Sequence, residues 1–305
     1  MRFQFKFLSI FIIMISLLVG LASPVFSAEN DDSDVINEKL GVPIVVYGDT
    51  LTEDQKAEVQ ELLEITDSEN VKEFSVTGQD AATYIDGDPH SRMFSSAKIV
   101  REEDGHGLVI NIVTPENITQ VTSEMYSNAL LTAGVENATV DVASPVKVTG
   151  HSALTGIYKA YDVEGETLDK ERMELANEEL DVATDLAEKE GMSQEKVSEL
   201  LTEIKKQIAE QNPATKEDVE RIVKEQLDKL EISLSEEDRQ LLIDLFEKMR
   251  NLNIDFDQVR SQLDDIASTI KDKLGELNIE VDEGFWEKVA NFFRDLFKQL
   301  ASLFE

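Results

Sequence analysis

The chain has 305 residues and no cysteine. That absence removes disulfides, thiol catalysis, structural zinc held by cysteine, and the lipid-modified N-terminal cysteine of a bacterial lipoprotein. A chain this long can bury a core without disulfides. Long apolar runs are also scarce. After Leu21 no stretch approaches the roughly 18 apolar residues that would suggest a membrane span. Bases are few, with 29 Lys and Arg against 63 Asp and Glu, a net charge of −34. Such a surface repels DNA, RNA and anionic wall polymers, so no nucleic-acid partner is expected. It reads most simply as a solvated acidic coat. Histidine occurs only three times, as His90, His106 and His151. None is spaced as H-E-x-x-H or as an i, i+4 pair, so no metal site is legible.

What is present begins at the N-terminus. Arg2 and Lys6 precede an apolar stretch from Phe7 to Leu21, followed by Ala22-Ser23-Pro24 and Val25-Phe26-Ser27-Ala28. A charged head, an apolar middle and small residues at a cut site make a secretory signal peptide, here residues 1–27. The apolar stretch is short of the roughly 20 residues needed to span a bilayer. Val25 and Ser27 suit the positions before cleavage. Cleavage there leaves 278 of the 305 residues and, with Arg2 and Lys6 gone, moves the net charge from −34 to −36. The expected location is outside the cell, secreted or on the outer side of the envelope.

Residues 28–40 are acidic and polar and read as a flexible mature N-terminus. From Gly41 the pattern changes. Val42 to Tyr47 predicts a strand, Thr52-Glu53-Asp54-Gln55 a capping box opening a helix, and Phe74 to Val76 a second strand. Ala81 to Ile85 suggests a short helix and Gly87-Asp88-Pro89 a turn. Ala97 to Arg101 and Leu108 to Val113 read as strands joined as a hairpin through Glu102 to Gly107. Ser123 to Ala133 predicts a helix stopped at Gly134. Ala138 to Ala143 is a further strand, with Pro145 marking a bulge or edge before Val146 to Val148 resumes it. Two strand–helix–strand units therefore occupy residues 41–151, an α/β module with a mixed sheet.

The remainder, 152–305, is helical. Ser152 starts a short helix through Tyr161. Apolar residues then recur at three- and four-residue steps through five helices. The first carries Met173, Ala176, Leu180, Ala183 and Ala187 and ends at Gly191. Ser193, Thr215, Ser235 and Asp255 are the expected N-caps of the others. One-sided apolar helices need partners, and short loops predict an antiparallel bundle. The fold class is thus α+β, the α/β module preceding an all-α bundle.

The stretch Thr132 to Pro145, continued through Val146-Lys147-Val148-Thr149-Gly150 and Ala153 to Tyr161, resembles the YpuA-like family of exported Gram-positive proteins, a family defined by a domain of unknown function. Leu234-Ser235 through Asn253-Ile254-Asp255 and the Phe- and Trp-rich C-terminus resemble it as well. The resemblance covers essentially the whole mature chain. It implies an extracellular location and brings no catalytic residues.

Candidate chemistry is sparse. Gly150-His151-Ser152 between a strand and a helix invites comparison with a nucleophile elbow, but Leu154 stands where G-x-S-x-G needs its second glycine. Ser152 reads instead as a helix N-cap. Asp86-Gly87-Asp88 and Asn30-Asp31-Asp32-Ser33-Asp34 do not match an EF-hand loop, though they leave room for weak Ca2+ binding; no other cofactor is expected. With 63 acids, some carboxylate pair always stands at glycosidase spacing, so that signal is empty. There is no glycine-rich phosphate loop.

The most unusual segment is the last. Asp282 can cap an amphipathic helix over 282–304 whose apolar side carries Phe285, Trp286, Phe292, Phe293, Phe297 and Phe304. Trp286 is the only tryptophan of the chain. Such a helix either docks on the bundle as core or forms a contact surface for self-association, an envelope protein or a membrane. Its near-balanced charge supplies no pull toward anionic lipid and favours docking. The expected function is that of an exported, non-catalytic binding or interaction protein. An exported hydrolase of wall glycan or peptide, using unidentified carboxylates, is the rival from another class, and a membrane-surface protein is the third.

Overall fold

The run Ile44-Val45-Val46-Tyr47 has no polar side, and it forms β1 (Ile44–Gly48), buried along its length. Burial on both sides marks a strand packed on both faces. The computed structural model describes residues 40–65, 70–189 and 192–276. Residues 1–27, read as a signal peptide, residues 28–39, Gly191 and the aromatic segment 282–304 lie outside the described residues.

After β1, helix α1 (Glu53–Leu62) opens with the expected capping box between Thr52 and Gln55. Strand β2 (Lys72–Val76) leads into α2 (Gly78–Ile85). This helix starts earlier than its apolar pattern suggests, because Thr77 and Asp80 make a second capping box. The Asp80 carboxylate accepts the Thr77 N–H at 2.8 Å. Strands β3 (Ser96–Arg101) and β4 (Leu108–Ile112) precede α3 (Ser123–Ala133) and β5 (Ala138–Ala143). Gly134 ends α3 at φ +93, the left-handed conformation glycine adopts at no steric cost.

One five-stranded sheet results, ordered β2-β1-β3-β5-β4. The two expected strand–helix–strand units are present as parallel pairs, β1 with β2 and β4 with β5. Strand β3 runs antiparallel between them, paired to β1 and β5. The expected β3–β4 hairpin is not formed, because β5 inserts between the two strands. The reason is burial. Ala138, Val140 and Val142 of β5 are fully buried, whereas Val109 of β4 is 40% exposed and suits an edge. Asn137 shapes the detour, its side-chain oxygen accepting the Gly105 and Gly107 N–H groups, each at 3.0 Å.

Beyond β5 the strand does not resume. Val148 makes only an isolated parallel bridge with Ile118. Helix α4 (Ser152–Val163) follows, then α5 (Lys170–Ala187), α6 (Gln194–Gln211), α7 (Lys216–Lys229), α8 (Glu236–Asn251) and α9 (Arg260–Glu276). Ser193, Thr215 and Ser235 cap α6, α7 and α8 as their sequence positions predict. Asp255 caps no helix. Its carboxylate accepts the Asp257 N–H at 3.0 Å in a turn, and α9 begins at Arg260.

Helix α1 covers one sheet face over Val45, Tyr47 and Ala143. On the other face α4 lies across β1, β2 and β3, and α3 lies on β4. Helices α5, α6, α7 and α8 pack each on the next, α5 also meets α8, and α9 lies against α6. A single buried apolar cluster runs from Ile44 and Val46 through Leu154 and Leu180 to Phe246 and Leu263. The sheet and the helices therefore share one core.

Candidate functional site

Two glycines seat the loop before β3, whose residues Ser91, Arg92 and Met93 line one wall of a cleft. A Cβ on Gly48 would meet the Met93 carbonyl oxygen at 2.3 Å, and one on Gly78 would meet that of Pro89 at 2.4 Å. Only glycine lets the end of β1 and the start of α2 approach the loop before β3 so closely. Thr50 then clamps that loop from both sides. Its N–H donates to the Met93 carbonyl and its hydroxyl accepts the Met93 N–H, both at 3.0 Å.

The opposite wall is the turn into α4. Gly150 has φ +113, and a Cβ there would lie 2.8 Å from Ile118 Cγ2 and 2.9 Å from the Tyr126 hydroxyl. That hydroxyl donates to the Gly150 carbonyl at 2.5 Å. Ser152 is not the N-cap expected of it. It is the first helical residue, and His151 holds the cap position with helical dihedrals and no side-chain capping hydrogen bond. Because the chain is already helical at His151, the Ser152 hydroxyl lies a step too late to cap. Short-range bonds from Ala153 N to Gly150 O and from Leu154 N to His151 O take up part of the first turn. The first turn holds no acidic residue to offset the helix dipole.

Between the walls lies a cavity of about 310 Å³. Ala81, Ile85, Met93 and Val148 supply an apolar part, and Ser91, Arg92, Thr149, His151, Ser152 and Thr155 a polar part. No carboxylate of a described residue lines it. Two other clefts follow the composition of the chain. One, between α6, α7 and α9, includes Glu199, Glu203 and Asp264, and another includes Asp185, Glu188 and Asp238. Burial, reinforced by Glu203, raises the Glu199 carboxyl above its ordinary value.

Three polar groups give the acid-free cleft its character. Arg92 is exposed, lies 4.9 Å from the Phe94 ring centre and makes no ion pair with any described residue. Thr155 is fully buried, and its hydroxyl has no hydrogen-bond partner among the described residues. His151 places Nε2 3.3 Å from Asp181 Oδ1 and 3.3 Å from Thr184 Oγ1, behind the cleft wall. Burial lowers the His151 pKa, against the pull of Asp181 and Asp185. No hydrogen bond joins Ser152 to the His151 ring, so the His–Asp pair is not coupled to the neighbouring serine. Histidines His90 and His106 are exposed elsewhere, the first beside Asp88 and the second beside the Gly107 carbonyl. Among the described residues no three His, Asp or Glu side chains gather as a metal site would require. Asp86 serves as the left-handed cap of α2.

The sequence carried a signal for this cleft that composition alone conceals. None of the 63 acids falls within 89–101 or within 142–161. Those two stretches bring Arg92 and His151 to facing walls. Phe285, Trp286, Phe292, Phe293, Phe297 and Phe304, the contact residues read from the aromatic segment, lie outside the described residues.

Residues 47–266, from β1 into α9, match the family described as "Protein of unknown function (DUF1002)". The chain belongs to this family. The matched span contains both cleft walls and the whole of the sheet except the first residues of β1. A relative in Bacillus subtilis (strain 168), "Uncharacterized protein YpuA", is 36% identical over 275 residues, covering 87% of this chain and 91% of that protein. The resemblance read from residues 132–161 thus extends along most of the chain. No solved structure matches it. Family membership brings no activity, so function rests on the geometry of the chain itself.

Proposed function

We propose that this is an exported protein of the extracellular side of the envelope that acts by binding rather than by catalysis, with the cleft between α2 and the start of α4 as its ligand site. The cleft carries this reading: it holds about 310 Å³ with an apolar side and a polar side. An open cleft that joins apolar surface to a few placed polar groups has the make-up of small-ligand sites. Export is supported by the charged, apolar and small-residue order of residues 1–27. The aromatic segment 282–304 serves as a second contact surface, supported by its apolar stripe.

Ligand stabilisation of residues 28–305 tests the cleft. A panel of small wall and metabolite fragments is screened by melting temperature. Any stabilising compound loses its effect in Ser152→Phe, which fills the cleft from its rim. Turnover of a wall fragment, abolished by changing one carboxylate, overturns the binding reading in favour of a hydrolase.

A further inference from the structure

We propose that the cleft takes a small organic phosphate, its oxyanion seated at the start of α4 within reach of Arg92 and Thr155. The inference deepens the reading of the cleft as a ligand site and rests on it.

Charge gives the first reason. In a chain of net charge −34, a cleft without a lining carboxylate is a departure that needs a cause. Fields from distant acids are screened over about 10 Å at 0.1 M salt, so local groups set the potential inside it. Locally these are Arg92, which makes no ion pair with a described residue, and the start of a 12-residue helix without a side-chain cap, set against Asp181 behind His151 and against Asp86 and Asp88 on either side of the lining residue Gly87. Lys147, exposed and two residues before Thr149, also makes no ion pair with a described residue. Helix N-termini attract oxyanions through their dipole and their free N–H groups; here the Ala153 and Leu154 N–H groups are engaged by the Gly150 and His151 carbonyls, which leaves the dipole and the Ser152 N–H.

Thr155 gives the second reason, and it is independent of charge. A fully buried hydroxyl without a partner is destabilising, because it has given up water and gained nothing in return. Thr155 stands one turn into α4 from Ser152, on the same side of the helix, and both line the cleft. An acceptor oxygen placed there would satisfy it. Phosphate fits better than a planar carboxylate, because its oxygens point in several directions and the donors surround the site. Ser91, Ser152 and Thr149 provide further hydroxyls around the rim. Ala81, Ile85, Met93 and Val148 would face the carbon part of an ester.

The test is calorimetric titration of residues 28–305 with glycerol 3-phosphate, inorganic phosphate and glycerol. Expected is sub-millimolar binding of the ester, weakened about tenfold by Arg92→Ala and by Thr155→Val, a loss near 1.4 kcal/mol each. Thr155→Val removes a buried unpaired hydroxyl, so the urea midpoint without ligand should hold or rise; a merely structural threonine would lower it. Tighter binding of the ester than of inorganic phosphate identifies an organic ligand, and equal binding identifies the free anion; either supports an oxyanion site. No titration by either phosphate at millimolar concentration, or binding that survives both substitutions, overturns the proposal. If a neutral compound binds and Ser152→Phe abolishes it, the phosphate inference falls while the ligand site stands.

Discussion

At the scale of single residues, the most consequential feature is an ion pair with no exposure. Lys205 of α6 and Glu179 of α5 are 0% and 1% exposed, with Nζ 2.6 Å from Oε1. The ammonium also donates to the Asn128 carbonyl at 2.7 Å, and the Thr132 hydroxyl donates to the other Glu179 oxygen at 2.6 Å. Burial lowers the Lys205 pKa, and Glu179 opposes that shift. Desolvation offsets much of the attraction, so the pair contributes little net stability, but either half alone is a buried charge without compensation. Lys205→Met should therefore cost about 3–5 kcal/mol in urea unfolding, and adding Glu179→Leu should restore most of it. A small effect of Lys205→Met would mean that Glu179 finds another partner or a proton. Neither residue stood out in the sequence, where a Lys on a helix reads as solvated. Its burial follows from where α3, α5 and α6 meet.

At the scale of elements, caps join helices to one another as well as starting them. Asp80 closes the capping box of α2 and also accepts from Lys159 of α4 at 2.8 Å. Burial pushes its carboxyl upward, but the bonds from Lys159 and Thr77 outweigh this and hold it below the ordinary 3.8. A folded-state value below the unfolded one means that the unfolded chain takes up the proton first. The contribution is therefore complete at neutral pH and is lost as pH falls through the folded value. Tyr84 and Asp162 are the other titratable groups close to this junction. Asp80→Asn should remove this component: its stability deficit at neutral pH should shrink as unfolding is measured at lower pH. A deficit independent of pH would count against the linkage. Threonine and aspartate three residues apart carried a signal for this cap that the apolar pattern, beginning at Ala81, passed over, and the bond to Lys159, 79 residues away, required the fold.

At the scale of the whole molecule, the question is where the chain works. Export predicts a mature chain beginning at Ala28, recovered outside the cytoplasm and identified by N-terminal sequencing. The proposed aromatic contact surface predicts envelope retention, lost to the medium in Trp286→Glu combined with Phe293→Glu without a lower urea midpoint. A cytoplasmic chain still carrying Met1 overturns the first prediction. A double variant that unfolds much more readily overturns the second and makes the segment part of the core. The two halves of the chain share one buried cluster. Damage to the helices is therefore expected to reach the sheet, and destabilising substitutions in either part should broaden no transition into two.

Capping boxes, helix periods and the two strand–helix–strand units were legible because they depend on residues a few positions apart, where backbone sterics and local hydrogen bonds decide. The sequence by itself therefore determined the α+β class and most helix starts. The tertiary structure alone decided that β5 separates β3 from β4, since strand pairing goes to whichever distant segment buries most surface. It also decided that Ser152 is not a cap, that Lys205 is buried, and that two acid-free stretches face each other across a cleft. Each of these is a relation between groups far apart in the chain, and only packing brings such groups into contact.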